Sequence, residues 1–270
     1  MDNKEQALKK LSDCKRVVIK LGTSTLTHPT GRMNLRRFHN LVRVMADLHN
    51  AGKELILVSS GAVGLGIGKL GLNGRPTATP EKQACAAVGQ CELMYLYDRQ
   101  FANYSVTVAQ VLLTKAVLST DGGTNSGNCI EQLLKIGVIP IVNENDTVAI
   151  DELELEIGEN DSLAAIVAGL GKADLLILMS DIDGLYSDDP HKNADAKLIP
   201  VVYDIDESIE AIAGGAGTPN ARGGMATKIS AAKMATQAGI DMVIVNGERP
   251  ENLYDLFEDQ QIGTRFVAKK

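Results

Sequence analysis

Val138-Ile139-Pro140-Ile141-Val142 runs straight into Asn143-Glu144-Asn145-Asp146, and Gly158-Glu159-Asn160-Asp161 answers it further along the chain. A β-branched apolar run followed at once by dense polar residues reads as a buried strand. The polar side chains then stand at its carboxyl end, where open α/β sheets bind ligands. Asn and Asp are ordinary turn residues, so a solvated hairpin tip would use them too. Two such clusters flanking the charged excursion Asp151-Glu152-Leu153-Glu154-Leu155-Glu156 exceed what a tip needs, and the excursion itself reads as an exposed strand pair.

Working outward from Val138–Val142 as the central strand, further buried strands are expected at Arg16–Lys20, Glu54–Ser59, Val106–Leu113 and Asp174–Met179, with Asp241–Val245 as the last. Helical periodicity separates them. Residues 35–51 place Leu35, Phe38, Leu41, Val42, Met45 and Leu48 on one face, and Gly52 stops the helix. A helix opens after Ser60-Gly61, a small-residue helix covers about 81–103, another about 125–136, and a short apolar one Ser162–Gly169. Between them, the Gly-, Pro- and Thr-rich stretch 68–80 is expected to be a mobile connector. Strands alternating with helices predict the α/β class: a mainly parallel open sheet sandwiched by helices on both faces. We expect one domain over 1–270, with a first lobe to about 170 and a second lobe from 171 to 270.

With 44% hydrophobic but only 4% aromatic residues, the core must be aliphatic. A net charge of −7 offers no general attraction to nucleic acid or an anionic membrane, although a small anion needs only a local positive site. Residues 1–16 lack the apolar stretch of an export signal, and no run approaches the ~20 residues of a membrane span, so a cytoplasmic protein is expected. Cys14, Cys85, Cys91 and Cys129 form no CxxC pair and the four histidines no ligand cluster, which predicts no dedicated metal site. All eight read as small buried hydrophobes or surface imidazoles.

The glycine-rich run 214–224 lets backbone approach a ligand, and the following helix turns free N–H groups toward it, as phosphate sites do. Glycine content alone also fits a surface loop. Lys228 tilts the balance, because a cation at a helix start opposes the helix dipole unless an anion lies between. Gly66-Ile-Gly-Lys-Leu-Gly71 matches GxGxxG but begins well past its strand and lacks the distal acid, so it is not a dinucleotide site. Lys20, at the carboxyl end of its strand, converges with Lys228 and Asp161 on a site suited to phosphoryl transfer, where positive charge and placement matter most. An ionised carboxylate acceptor would need no general base.

Six motifs in register carry a resemblance: Val-Val-Ile-Lys-Leu-Gly-Thr-Ser (17–24), Val-Ser-Ser-Gly-Ala-Val (58–63), Val-Asn-Glu-Asn-Asp (142–146), Gly-Glu-Asn-Asp (158–161), Ser-Asp-Ile-Asp-Gly-Leu-Tyr (180–186) and Gly-Gly-Met-Ala-Thr-Lys (223–228). Together they resemble the amino acid kinase superfamily, and within it the kinases that phosphorylate the side-chain carboxylate of L-glutamate at the first step of proline synthesis. The resemblance implies Lys20, Lys228 and Asp161 as catalytic residues, with Asp161 orienting the two lysines. It implies glutamate binding by Ser60, Gly61, Asn143, Asp146 and Asn160. ATP would lie against Lys20, Gly22, Thr23, Ser180, Asp181 and the run Arg222, Gly223, Gly224, Met225, Ala226, Thr227, Lys228, bringing Mg²⁺ with it. The lobe before about 170 would hold glutamate and the one after it ATP.

It further implies feedback inhibition by proline, a hand-off to glutamyl-5-phosphate reductase, a homo-oligomer (dimer or tetramer), and no nucleic-acid or membrane partner. Many members carry an RNA-binding-like PUA domain after the kinase part; none is expected before Lys270. Where members often have Asp-Asn-Asp, this chain has Glu159-Asn160-Asp161. Two alternatives share these motifs: a sibling kinase acting on N-acetylglutamate, carbamate, aspartate or UMP, and a non-catalytic nucleotide sensor of the same fold.

Overall fold

Alternation along the first strand sets the architecture: Val17, Ile19 and Leu21 pack into one apolar layer and Val18 into the other. The computed structural model describes residues 8–28, 32–114, 121–148, 160–190, 192–214 and 224–269. The acidic excursion 151–156, Gly158, Glu159, Arg222 and Gly223 lie outside them.

In chain order the elements are β1 (Arg16–Leu21), α1 (Thr23–Leu26), α2 (Leu35–Asn50), β2 (Glu54–Ser59), α3 (Ala62–Leu70) and α4 (Thr79–Ala102). Next come β3 (Val108–Leu113), α5 (Asp121–Lys135), β4 (Ile139–Glu144), α6 (Asn160–Leu170), β5 (Leu175–Ser180) and β6 (Val201–Val202). The chain closes with α7 (Glu207–Ile212), α8 (Met225–Gln237), β7 (Asp241–Asn246), α9 (Asn252–Phe257) and β8 (Thr264–Phe266).

The strands form one eight-stranded sheet in the order β3-β4-β2-β1-β5-β7-β8-β6. Pairing is parallel except between β7 and β8. One face carries α2, α4 and α9, with Phe38, Tyr97, Phe101 and Leu253 fully buried; the other carries α5, α6 and α8, with Ile130, Val167 and Ala231 equally buried. Fully burying a Phe or Leu side chain contributes about 1.5–3 kcal/mol, so the aliphatic stripes of both layers hold the sheet between them.

Several expectations need correction. The Val138–Val142 strand is not central: β4 is second from the edge, and β1 lies inside it. It also runs on to Glu144, so Asn143 and Glu144 belong to the strand, because they continue its pairing with Leu112 and Leu113 of β3. Asp241–Val245 is not the last strand; β8 pairs antiparallel with β7 beyond it, and its three residues are too few for a periodicity signal. The connector 68–80 shrinks to 71–78, since α3 runs to Leu70 and α4 starts at Thr79 with Pro80 in its first turn. Leu35 is 54% exposed and stands off the α2 stripe. Cys91 and Cys129 are exposed as well, whereas Cys14 and Cys85 are buried.

The two ends of the sheet differ in chemistry. At the amino end Arg16 donates to Glu54 and Glu131, each at 2.7 Å, and Asp174 accepts the backbone N–H groups of Lys15 and Arg16. Charges there are consumed locally. At the carboxyl end Lys20, Ser60, Asn143, Glu144 and Ser180 open together onto a cleft.

Candidate active site

Strand parity aims the first lysine. Lys20 continues the Val18 side of β1, toward α6 and α8, and its ammonium lies 2.6 Å from Asp161 Oδ1. Asp161 is the second residue of α6, where the helix dipole favours negative charge. Lys228, in the first turn of α8, reaches the other oxygen of the same carboxylate at 3.4 Å, and Thr227 Oγ1 donates to that oxygen at 3.0 Å. A second contact, from Lys228 Nζ to the Gly224 carbonyl at 3.3 Å, pulls the ammonium toward the start of its helix. The anion that offsets the unfavourable dipole there is thus supplied by Asp161 itself.

All three groups are buried: Lys20 is 6% exposed, Lys228 7% and Asp161 0%. Burial pushes the Asp161 carboxyl up, but the charges of Lys20 and Lys228, with hydrogen bonds from Lys20 and Thr227, outweigh it and hold it below the usual carboxylate range. Asp161 is therefore an ionised anchor, with each oxygen committed to a lysine. Two cations against one anion leave one net positive charge at the cleft floor, a setting for phosphate oxygens.

A chain of amides forms the other wall. Asn143 continues the Ile139 and Ile141 side of β4, toward α4, where its Nδ2 donates to Gln90 Oε1 at 2.9 Å. Asn143 Oδ1 accepts from Asn160 Nδ2 at 2.9 Å, and that nitrogen also donates to Ser60 Oγ at 2.9 Å. Ser60 leads into α3 through Gly61, whose φ of 109° is a conformation that suits glycine. Behind Ser60, Ser59 Oγ and the buried hydroxyl of Tyr97 on α4 lie 2.9 Å apart, tying the end of β2 to that helix.

Between these walls lies a cleft of about 600 Å³ lined by Lys20, Gly22, Thr23, Ser60, Gly61, Asn143, Asp146, Asn160, Ser180, Asp181, Gly224 and Lys228 among others. Met225 and Ala226 do not line it. Thr227 acts on Asp161 instead. Ser180 Oγ donates to Asp181 at 3.0 Å at the β5 end. Glu144 of the Asn143–Asp146 cluster lines the cleft as well, and so do Arg75, Thr79, Lys82 and Gln83, which the sequence does not point to, with Gln90 behind the wall. Arg75 and Lys82 have no ion-pair partner among the described residues. One cation inside the Gly- and Pro-rich connector and another just after it were the available signal, but only the fold brings α4 over the carboxyl edge of β4.

The GxGxxG match at Gly66 has a packing explanation. A Cβ on Gly66 would sit 1.9 Å from the Cys85 carbonyl oxygen, and one on Gly89 1.7 Å from that of Ala62. The two glycines let α3 and α4 interlock backbone to backbone.

A mainly parallel sheet with paired lysines on one buried carboxylate at its carboxyl end defines a class of phosphoryl-transfer proteins, and the model of the Amino acid kinase family matches residues 15–246. The chain belongs to the amino acid kinase family. Its relatives narrow this further: a protein of Clostridium perfringens named Glutamate 5-kinase is 54% identical over 265 residues, covering 97% of this chain and 98% of that relative. A Glutamate 5-kinase of Clostridium tetani is 53% identical over 261 residues, covering 96% and 97%. Among solved structures, carbamate kinase from Giardia lamblia bound to AMP-PNP superposes with a TM-score of 0.66 at 17% identity, covering 96% of this chain and 100% of that one. At that identity it shows the shared fold alone.

Proposed function

We propose that the lysine-carboxylate floor of the cleft transfers the γ-phosphoryl group of ATP to the side-chain carboxylate of L-glutamate, giving L-glutamyl 5-phosphate. The activity is that of a glutamate 5-kinase, the entry step of proline synthesis from glutamate. One observation carries the assignment of residues: Lys20 and Lys228, from a strand and a helix far apart in sequence, meet on the two oxygens of Asp161 beneath a wall of amides and carboxylates.

Lys20 holds phosphate oxygens of bound ATP, Lys228 neutralises the moving phosphoryl, and Asp161 keeps both ammoniums in place. Ser180 and Asp181 and the Gly224 end of α8 flank the nucleotide, assigning ATP to the half of the sheet from β5 onward. Arg222 and Gly223 are the further backbone groups expected there. Mg²⁺ would be carried by the nucleotide phosphates and would supply further positive charge to them, while the Asp161 carboxylate is taken up by Lys20 and Lys228.

Glutamate occupies the half formed by the β2, β4 and α3 ends. Its ammonium meets Asp146 and the Asn160 side chain, Ser60 and Gly61 hold the neighbouring carboxylate, and Arg75 and Lys82 raise the local positive potential. The acceptor carboxylate is ionised at neutral pH, with a reference pKa of about 4.3, so transfer needs no general base. Acidic and amide partners for a free ammonium separate this site from one built for an acylated amino group or a nucleotide base.

Glutamate-dependent ADP release with hydroxylamine trapping of the acyl phosphate tests the reading. A panel with N-acetylglutamate, carbamate, aspartate and UMP discriminates the sibling kinases, and absence of any acceptor-dependent turnover would favour a nucleotide sensor. Proline inhibition competitive with glutamate, a homo-oligomer, a hand-off to glutamyl-5-phosphate reductase and a cytoplasmic location complete the proposal. Among the described residues no helix is long and apolar enough to cross a membrane. Titrating proline at several glutamate concentrations checks the first of these.

A further inference from the structure

We propose that Gln90 is a positioning residue that sets which end of the Asn160 side chain faces the amino-acid substrate. The inference rests on the glutamate reading above and concerns a residue outside the cleft wall. Gln90 is 8% exposed, stands behind Asn143 and contributes nothing to the lining. Its Oε1 accepts from Asn143 Nδ2, which leaves Asn143 Oδ1 to accept from Asn160 Nδ2. Asn160 Nδ2 gives its other hydrogen to Ser60 Oγ. Both amide hydrogens of Asn160 are then used, and the atom it offers a ligand is Oδ1, an acceptor.

The polarity runs in one direction through three side chains. An acceptor at the Gln90 end makes an acceptor at the cleft end, as an ammonium requires. Were Asn143 to turn over, Asn160 would have to turn with it and present Nδ2, a donor, to a positively charged group. The carbonyl half of this amide is the one in contact with Asn143, and Gln90 Nε2 has no hydrogen-bond partner among the described residues. Gln90 is also held in position by its neighbour: Gly89 lets α4 lie against the Ala62 carbonyl, at the start of the helix that follows Ser60 and Gly61. The interlocked helices keep the two ends of the relay at a fixed separation.

Two substitutions separate polarity from packing. Gln90→Glu keeps an acceptor for Asn143 Nδ2 and replaces the unpaired amide NH2 with a second carboxylate oxygen. Gln90→Met keeps the length and removes the acceptor. The measurements are the KM for glutamate and for ATP, kcat, thermal melting, and the inhibition constant of glutarate, the same dicarboxylate without an ammonium.

Gln90→Met should raise the glutamate KM about tenfold, the worth of one mis-set buried polar group. It should leave the ATP KM and the glutarate constant within about threefold of wild type, and Gln90→Glu should keep a near-normal glutamate KM. The proposal is overturned if Gln90→Met leaves the glutamate KM unchanged, if glutamate and glutarate weaken equally, or if Gln90→Glu is as impaired as Gln90→Met. Should the Met variant fail to fold, Gln90→Ala, which also removes the acceptor, takes its place with the same outcomes expected and the same outcomes overturning the proposal. Absence of glutamate-dependent ADP release by the unaltered protein is a separate outcome that overturns the substrate assignment itself.

Discussion

Replacing Asp161 with Asn removes one negative charge from between two buried ammoniums while keeping shape and volume. Lys20 and Lys228 lie 2.6 and 3.4 Å from its two oxygens and are only 6% and 7% exposed, so each meets solvent only through the cleft it lines. Removing one partner of a buried ion pair costs about 3–5 kcal/mol. At roughly 2–4 °C per kcal/mol for a domain of this order of size, Tm should fall by about 10 °C. The native circular dichroism spectrum at 25 °C should survive.

In kinetics the same change should lower kcat about 10²–10³-fold, the loss typical of a mis-set transition-state donor. The ATP KM should not rise, because the phosphate-facing cations become less neutralised. Adding Lys228→Met should then recover part of the lost stability without recovering kcat, a non-additivity expected for groups in direct contact. Thermal melting and steady-state kinetics on the single and double variants decide the matter. An Asp161→Asn protein with kcat within threefold of wild type and unchanged Tm would refute the lysine-anchoring role.

Lys228→Ala should lower kcat about 10²–10³-fold with little change in either KM, whereas Lys20→Ala should also weaken ATP binding, since it meets phosphates already present in the ground state; normal turnover by Lys228→Ala would place the chemistry elsewhere. Asp146→Ala should raise the glutamate KM roughly tenfold to a hundredfold at constant ATP KM, the loss of one charge-assisted contact of about 1.5–3 kcal/mol. Gly89→Ala should destabilise by about 1–3 kcal/mol or more, since its Cβ would fall 1.7 Å from a backbone oxygen that no rotamer change can clear; an unaltered denaturation midpoint contradicts the interlock. Asp161, Asp174 and Glu54 all titrate below their ordinary values in the folded chain, so the stability they add is fully present above the unfolded carboxylate range, about 3.9–4.3, and is lost as pH falls through their folded values. Acid titration of Tm should show it, and a midpoint flat from pH 6 to pH 3 would not fit.

Much of this was legible in the chain because parallel strands buried on both faces are written as apolar runs, and each run ends where its chemistry begins. Lys20, Ser60, Asn143 and Ser180 could be placed at one edge from that alone, and the structure lines the cleft with all four. Strand order was not legible. Nothing in Val138–Val142 distinguishes a central strand from one next to the edge, since β3 covers it with a strand of similar composition. The pairing of β8 with β7 rests on three residues and the turn at Gly263, too short a stretch to show a period. Gln90 was hidden for a different reason: a lone Gln among small residues on a helix reads as surface, and its role depends on which strand the helix crosses. Arg75 lies within the connector and Lys82 in the first turn of the helix after it, and nothing in either stretch marks them as neighbours of the cleft before α4 is placed.

The placement of Asp161 explains why the site needs two lysines and one carboxylate rather than a single lysine. A lone buried ammonium would be costly without an anion, and a free one in the cleft would have to reorganise as charge moves along the reaction coordinate. Sharing one carboxylate fixes both ammoniums before any ligand arrives and leaves a surplus of one positive charge to face phosphate. Because Lys20 is carried on β1 and Asp161 and Lys228 on the helices over one face of the sheet, packing α6 and α8 onto that face assembles the charged floor. The amide wall belongs chiefly to the opposite face, through Asn143 and α4. Asn160 joins the two, since it adjoins Asp161 in sequence and hydrogen-bonds both Ser60 and Asn143. Under the proposed assignment, the start of α6 is where acceptor binding through Asn160 and phosphoryl stabilisation through Asp161 would meet, one peptide unit apart.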